Sequence, residues 1–178
     1  MDIMLDLETF SSKNNAMIVS IGAVTFDPYK GGDALLAGRD LFYRVINPKT
    51  AIGHIDADTV VWWLGQPDGA RVALTQEMAS RVSLQQALED FAAFCGSFET
   101  PVIWGNGSDF DNVVLRNSYE HMGMKAPWSF RNNRCYRTLK ALRPDIEFIR
   151  TGEAHNALAD AFSQAMHAEK ILAALKLI

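Results

Sequence analysis

Residues 2–8 alternate: Ile3, Leu5 and Leu7 point one way, and Asp2, Met4, Asp6 and Glu8 the other. That period predicts a strand with one apolar face and one face carrying acids. "AMIVSIGAVTFD" predicts a second strand, stopped by Pro28 and the Gly31-Gly32 pair, and "DLFYRVIN" a third, stopped by Asn47-Pro48. Three successive strands with short connections predict an antiparallel meander. The pattern then turns helical. "DADTVVWWLGQ" opens on cap-type residues and ends near Gly65, and "ARVALTQEMA" predicts a short helix. In "SLQQALEDFAAFCG", Ser83 and Gln86 form a capping-box pair, Leu84, Leu88, Phe91 and Cys95 space an apolar stripe, and Gly96 closes it. "PVIWG" predicts a short buried strand and "DFDNVVLRNSYEHMG" a helix ending at Gly123. "RCYRTLKAL" is ambiguous and fits a strand end running into a short helix; "AHNALADAFSQAMHAEKILAAL" is the longest helical stretch.

Strands first, then helices with further short strands among them, describes an α/β protein: a mixed central sheet, its first three strands antiparallel, flanked by helices. A doubly wound parallel sheet is excluded by that order. The order of elements matches a ribonuclease H-like arrangement, by analogy of fold.

Composition narrows the class further. At 178 residues, with no repeat, low-complexity tract or linker, the chain reads as a single domain, 1–178. No apolar run reaches the roughly 18–20 residues of a membrane span, and no leader pattern stands at the N-terminus. Cys95 and Cys135 lie far apart outside any CxxC pattern, which fits reduced thiols and a cytoplasmic setting. The formal net charge of -4 argues against holding nucleic acid by basic charge alone. It leaves a metal enzyme open, because setting four carboxylates aside as a metal site makes the remainder neutral.

The candidate chemistry lies in three places. Asp6 and Glu8 share a face of the first strand, about 6.5–7 Å apart. Asp111 follows the "PVIWG" strand and a Gly-Asn-Gly turn at the opening of a helix, where Asp109 or Asp111 could equally cap that helix. In "HNALAD", His155 and Asp160 are separated by about 140° on an ideal helix, so His155 belongs on the loop leading in if Asp160 faces a site. His54, His121 and His167 read as capping or surface residues. Acids on separate elements with one nearby histidine are what phosphodiester hydrolysis with two metal ions requires. Oxygen ligands favour Mg²⁺ or Mn²⁺ over zinc, and a histidine can take a proton from water near neutral pH.

With these residues in view, the sequence resembles the DEDDh 3'–5' exonuclease superfamily, which contains ribonuclease T, oligoribonuclease and the DNA polymerase proofreading subunit. "DLET" matches its first motif, "NGSDFD" looks like its second and "HNALAD" matches the H-x4-D form of its third. "HIDADTVVWW" and "WGNGSDFDNVVL" are similar to a smaller group of phage, prophage and mycobacterial 3'–5' exoribonuclease-like proteins, some named exonuclease VIII.

The resemblance implies that Asp6, Glu8 and Asp160 hold a first ion, with Asp6 bridging to a second, and that Asp111 holds the second through water. His155 would be the general base, and Thr9 would lie near the terminal 3'-hydroxyl. The second motif departs from the commonest spacing, leaving Asp109 as the rival of Asp111; the aromatic residue before Asp111 favours the latter. Asn106, Phe110, Trp62 and Trp63 are the expected substrate contacts, the aromatic rings by stacking bases, with one tryptophan able to be core while the other is exposed. Arg134, Arg137, Arg143 and Arg150 are candidates for phosphate contacts or solvated surface. The expected activity is removal of nucleoside 5'-monophosphates from the 3' end of single-stranded RNA or DNA, by a homodimer. Its rivals are a ribonuclease H-type endonuclease and a catalytically idle nucleic-acid-binding module.

Overall fold

The structure is a computed structural model that describes residues 1–29, 39–76, 78–96, 98–107 and 109–175. The Gly31-Gly32 stop lies outside the described residues, as do Glu77 of the short helical stretch and Ser108 of the second motif. Among the described residues five strands form one sheet: β1 (Asp2–Thr9), β2 (Ile18–Phe26), β3 (Leu41–Val45), β4 (Ile103–Gly105) and β5 (Asn133–Cys135), in the order β3-β2-β1-β4-β5. β1, β2 and β3 pair antiparallel, and β4 and β5 extend the sheet parallel to β1.

The α-helices among the described residues are α1 (Ala57–Leu64), α2 (Val72–Thr75), α3 (Leu84–Cys95), α4 (Asp111–His121), α5 (Tyr136–Ala141) and α6 (Ala157–Leu175). The alternation in β1 decides what lies on each side of the sheet. Ile3, Leu5 and Leu7 pack with Leu88 and Phe91 of α3 and Leu115 and Tyr119 of α4. Met4 packs on the other side with Tyr136 of α5 and Ala161, Ala165 and Ala168 of α6. Both faces of the sheet are therefore covered, and β2, inside the sheet, is buried at every position.

Local chemistry sets the element ends. Asp56 accepts from the Asp58 amide to cap α1. Ser83 accepts from the Gln86 amide to cap α3, but the Gln86 side chain bonds Asp90 at 2.8 Å and does not return to Ser83, so half of the expected capping box forms. "ARVALTQEMA" yields the single turn α2 and a 3₁₀ turn at Met78–Ser80. Between them the Arg81 guanidinium donates to the Leu74 and Gln76 carbonyls at 2.7 and 3.0 Å, stabilising the break. The ambiguous "RCYRTLKAL" divides into β5 and α5.

One close approach positions everything that follows. Gly22 of β2 pairs with Asp6 of β1, and a Cβ built on Gly22 would stand 2.1 Å from the Ala157 carbonyl carbon and 2.3 Å from the Leu158 nitrogen. Only glycine lets the first turn of α6 sit directly over the sheet beside Asp6. Gly22→Ala forces backbone away from backbone, which places it at the upper end of overpacking costs, about 3 kcal/mol. We expect the thermal midpoint to fall by about 10 °C for a chain of this size; an unchanged melting curve would contradict the contact.

Candidate active site

The three acidic segments converge where the C-terminal ends of β1 and β4 meet the N-terminal ends of α4 and α6. A cavity of about 430 Å³ is lined there by Asp6, Glu8, Asp111, Asp160 and His155. Each carboxylate arrives by a different local device. Asp6 and Glu8 stand on the α6 side of β1, and Asp6 Oδ1 accepts from Gln164 Nε2 at 2.8 Å.

Asp111, the first residue of α4, does not cap its own helix. Its Oδ1 accepts from the Leu7 amide at 3.1 Å and its Oδ2 from the Asn106 amide at 2.8 Å. The carboxylate thus ties the start of α4 to β1 and to the turn after β4. Gly105 makes room, since a Cβ there would lie 2.3 Å from Asn112 Oδ1. Asp109 is exposed and lines none of the cavity, so of the two rivals it is Asp111 that joins the cluster.

Asp160 lies in the first turn of α6. Asn156 Oδ1 accepts from the Ala159 amide at 3.1 Å, so Asn156 caps α6 and leaves His155 on the incoming loop. Asp160 Oδ2 then accepts from the His155 amide at 2.9 Å, and Asp160 Oδ1 pairs with Arg150. The tether between Asp160 and the His155 backbone gives the five-residue spacing a mechanical reason. His155 has φ of 61°, the one left-handed non-glycine backbone among the described residues, a conformation that costs about 1–2 kcal/mol. Ligand atoms of Glu8, His155 and Asp160 all lie within 4.8 Å of one another.

The expected substrate contacts sort differently. Trp62 is 43% exposed and sets its ring edge-to-face on His155, centroids 4.9 Å apart. Trp63 is 2% exposed and donates its indole N–H to the Thr9 carbonyl at 2.9 Å. Trp63 as a stacking contact is therefore corrected: of the two neighbours it is the one turned into the core, by the helical step of about 100°, and only an edge of it reaches the side cleft. Thr9 Oγ1 donates to the Ser11 carbonyl at 2.7 Å, and Thr9 lines a side cleft of about 230 Å³ with Glu8, Trp62 and Phe110. Phe110, half-buried, borders both the cleft and the main cavity, and Asn106 lines the latter.

His167 departs from a surface reading too. It is 2% exposed, with Nδ1 2.6 Å from the Tyr136 hydroxyl and Nε2 2.9 Å from the Ile146 carbonyl. A carbonyl only accepts, so Nε2 carries the proton and Nδ1 accepts from tyrosine. This bridge braces the segment that leads to Arg150 and His155. Sequence reading also missed Gln164. Its spacing of four from Asp160, one turn along the same helix face, was the available signal.

The electrostatics describe carboxylates that burial and mutual repulsion hold toward their neutral forms. Burial pushes the Glu8 carboxyl up to about 8, with the Asp111 charge second. Burial raises Asp111 to about 6 against the opposing amides of Asn106 and Leu7. Asp6 is held well above the ordinary carboxylate range by burial and then by the charges of Asp111 and Glu8. His155 is lowered, by burial first and by Arg150 second. The donor set fits divalent cations. Clustered carboxylates supply oxygen only, the histidine is biased toward its neutral form, and Gln164 Oε1 is buried with no hydrogen-bond partner among the described residues.

The family model described as the Rv2179c-like 3'-5' exoribonuclease domain matches residues 1–172. The chain belongs to this family. It is thus a 3'–5' exonuclease domain on a ribonuclease H-like fold, the fold shared by DEDDh exonucleases of known structure. The Rv2179c-like domain superposes on the nuclease domain of 3'hExo, a DEDDh family member bound to rAMP, with a TM-score of 0.64 and 13% identity over 97% of this chain and 91% of that one. It is similar to E. coli exonuclease I in complex with a dA16 oligonucleotide, with a TM-score of 0.58 and 20% identity over 98% of this chain. A zinc-bound E. coli exonuclease I–single-stranded DNA complex gives 0.61 and 19% over the same share. The domain spans 41% and 40% of those two exonuclease I chains. No curated protein matches the chain significantly in sequence. Among the described residues no helix is long and apolar enough to cross a membrane.

Proposed function

We propose that this Rv2179c-like domain hydrolyses single-stranded nucleic acid from the 3' end, releasing nucleoside 5'-monophosphates, with Asp6, Glu8, Asp111 and Asp160 as ligands of two Mg²⁺ or Mn²⁺ ions and His155 as the base. The observation that carries the reading is the convergence of these five side chains, distant in the chain, on one cavity. When bound, the ions would polarise the terminal phosphodiester and neutralise charge developing on its oxygens.

The protein's own groups account for the rest. His155, biased toward its neutral form, accepts a proton as a water oxygen bonds to the phosphorus. The bond from phosphorus to the 3' oxygen breaks, and that oxygen leaves with the electron pair and takes a proton from solvent. Asp160 holds the His155 backbone, and the Trp62 ring packs against the imidazole. Trp62 and Phe110 border the cleft beside Glu8 and Thr9, where a terminal base can stack at about 1–3 kcal/mol with little sequence preference. This mode of holding a few terminal nucleotides suits a chain of net negative charge. The family description favours RNA as substrate.

The test uses 5'-labelled RNA and DNA oligomers with Mg²⁺ or Mn²⁺. We expect a ladder shortening from the 3' end, abolished by EDTA and slowed about 10²–10⁴-fold by His155→Ala, the range for loss of a general base. Internal cuts independent of a 3' end would instead favour an endonuclease. Full turnover in chelator would reject the metal reading.

A further inference from the structure

Arg150 sits inside the acid cluster. Its guanidinium pairs with Asp160 Oδ1, and Asp160 Oδ2 is held by the His155 amide. Both oxygens of this carboxylate are thus engaged, and one of them by a part-exposed side chain rather than by backbone. Asp111 is engaged differently, since both of its oxygens accept from backbone amides that have no net charge and cannot swing away. Arg150 also acts on the other carboxylates: its charge opposes the rise of both Asp6 and Glu8. The side chain is 41% exposed, so it has solvent to move into.

A second contact limits where it can go. The Arg150 guanidinium carbon lies 5.7 Å from the centroid of the Phe148 ring, and Lys140 Nζ lies 5.3 Å from the same ring. Phe148, Lys140 and Arg137 line the cavity together with Arg150. A guanidinium released from Asp160 therefore keeps an aromatic face to rest on, on a wall that already carries two other cations. A divalent ion and a guanidinium cannot both crowd Asp160 without strong repulsion. The planar fork of arginine suits a carboxylate and a phosphate equally well.

Resting on the reading of the site given above, we propose that Arg150 is a built-in counter-cation: it occupies Asp160 while metal is absent, yields that carboxylate to a divalent ion, and transfers its hydrogen bonds to a phosphate of the bound strand. Arginine then has two successive anionic partners, and the domain avoids bare carboxylate repulsion between turnovers. Opposite effects on two ligands follow. Removing the guanidinium removes a competitor of the metal and a partner of the phosphate.

Titration calorimetry measures both. Mn²⁺ is titrated into the whole chain, wild type and Arg150→Gln, and AMP is then titrated into the Mn²⁺-loaded proteins. We expect Arg150→Gln to bind Mn²⁺ about tenfold more tightly, the scale of one lost charge-assisted hydrogen bond, and AMP about tenfold more weakly. Arg150→Lys keeps the charge without the fork and should fall between the two for both ligands. If Arg150→Gln weakens both ligands, or changes neither, the proposal is overturned while the exonuclease reading stands. If wild type binds no Mn²⁺, both fail together.

Discussion

Asp6→Asn should lower the rate of 3'-end shortening by about 10³-fold or more while leaving the fold intact. Asp6 lines the cavity from the α6 side of β1 and is bonded to Gln164 Nε2 at 2.8 Å. Asparagine keeps an oxygen to accept that bond and fills the same volume, so the packing of β1 against α6 has no cause to change. The substitution removes one charge from a site proposed to hold metal. Electrostatic stabilisation by bound metal is worth several kcal/mol, and each 1.36 kcal/mol is a factor of ten in rate. Stability should move the other way. Asp6 carries an unfavourable ionised form, half-buried and facing the charges of Asp111 and Glu8, so the metal-free variant should melt at or above the wild-type temperature. Rate assays on labelled oligomers and thermal melts in chelator check the two halves separately. Retained turnover in a well-folded Asp6→Asn protein would remove Asp6 from the site.

The metal-free protein should also lose stability as pH rises toward the alkaline side of neutrality, and Glu8→Gln should abolish much of that loss. Glu8 rises from 4.5 to about 8 and Asp111 from 3.8 to about 6 in the folded chain. A raised folded value contributes stability that is complete below the unfolded value and is lost as pH climbs through the folded one. The window therefore opens near 4 and closes near 8. His155 and His167 are lowered from 6.5, so their contribution is present above that value and lost as pH falls. They oppose the carboxylates within the same window, and Glu8→Gln leaves them in place. For Glu8 the loss is on the order of 5 kcal/mol, or about 15 °C in midpoint for this chain length. Melting curves in chelator at about pH 5 should nearly coincide for wild type and Glu8→Gln. At about pH 9 the variant should be the more stable, and added Mn²⁺ should rescue wild type alone. Curves that run parallel across the whole range would contradict the burial-driven rise at Glu8.

Much of the architecture could be read before any coordinates. The alternation in β1, the three-strand meander and the α3 stripe closed by Gly96 all follow from local periodicity and caps, whereas the last helical stretch, read from Ala154, begins only at Ala157. Those signals act between neighbours in the chain and so survive in one dimension. The pairing of β4 with β1 and of β5 with β4 could not be read that way. Short buried strands such as Ile103–Gly105 carry no alternation to orient them, and their partners lie far off in sequence. The role of Asp111 was equally hidden, because capping and cross-linking ask for the same residue at the same place. What separates them is the Leu7 amide, 104 residues away.

By itself, then, the order of residues determined which segments become strands and helices, which face of β1 is acidic, and which acids and which histidine are available for chemistry. Tertiary structure alone decided that Gly22 lets α6 descend onto the sheet, that Trp63 turns inward while Trp62 meets His155, and that Gln164 and Arg150 join the carboxylates. The physical reason is range. Periodicity, capping and turn chemistry are local energies written in adjacent residues, whereas burial, charge coupling and close backbone approach exist only once distant segments share the same few ångströms.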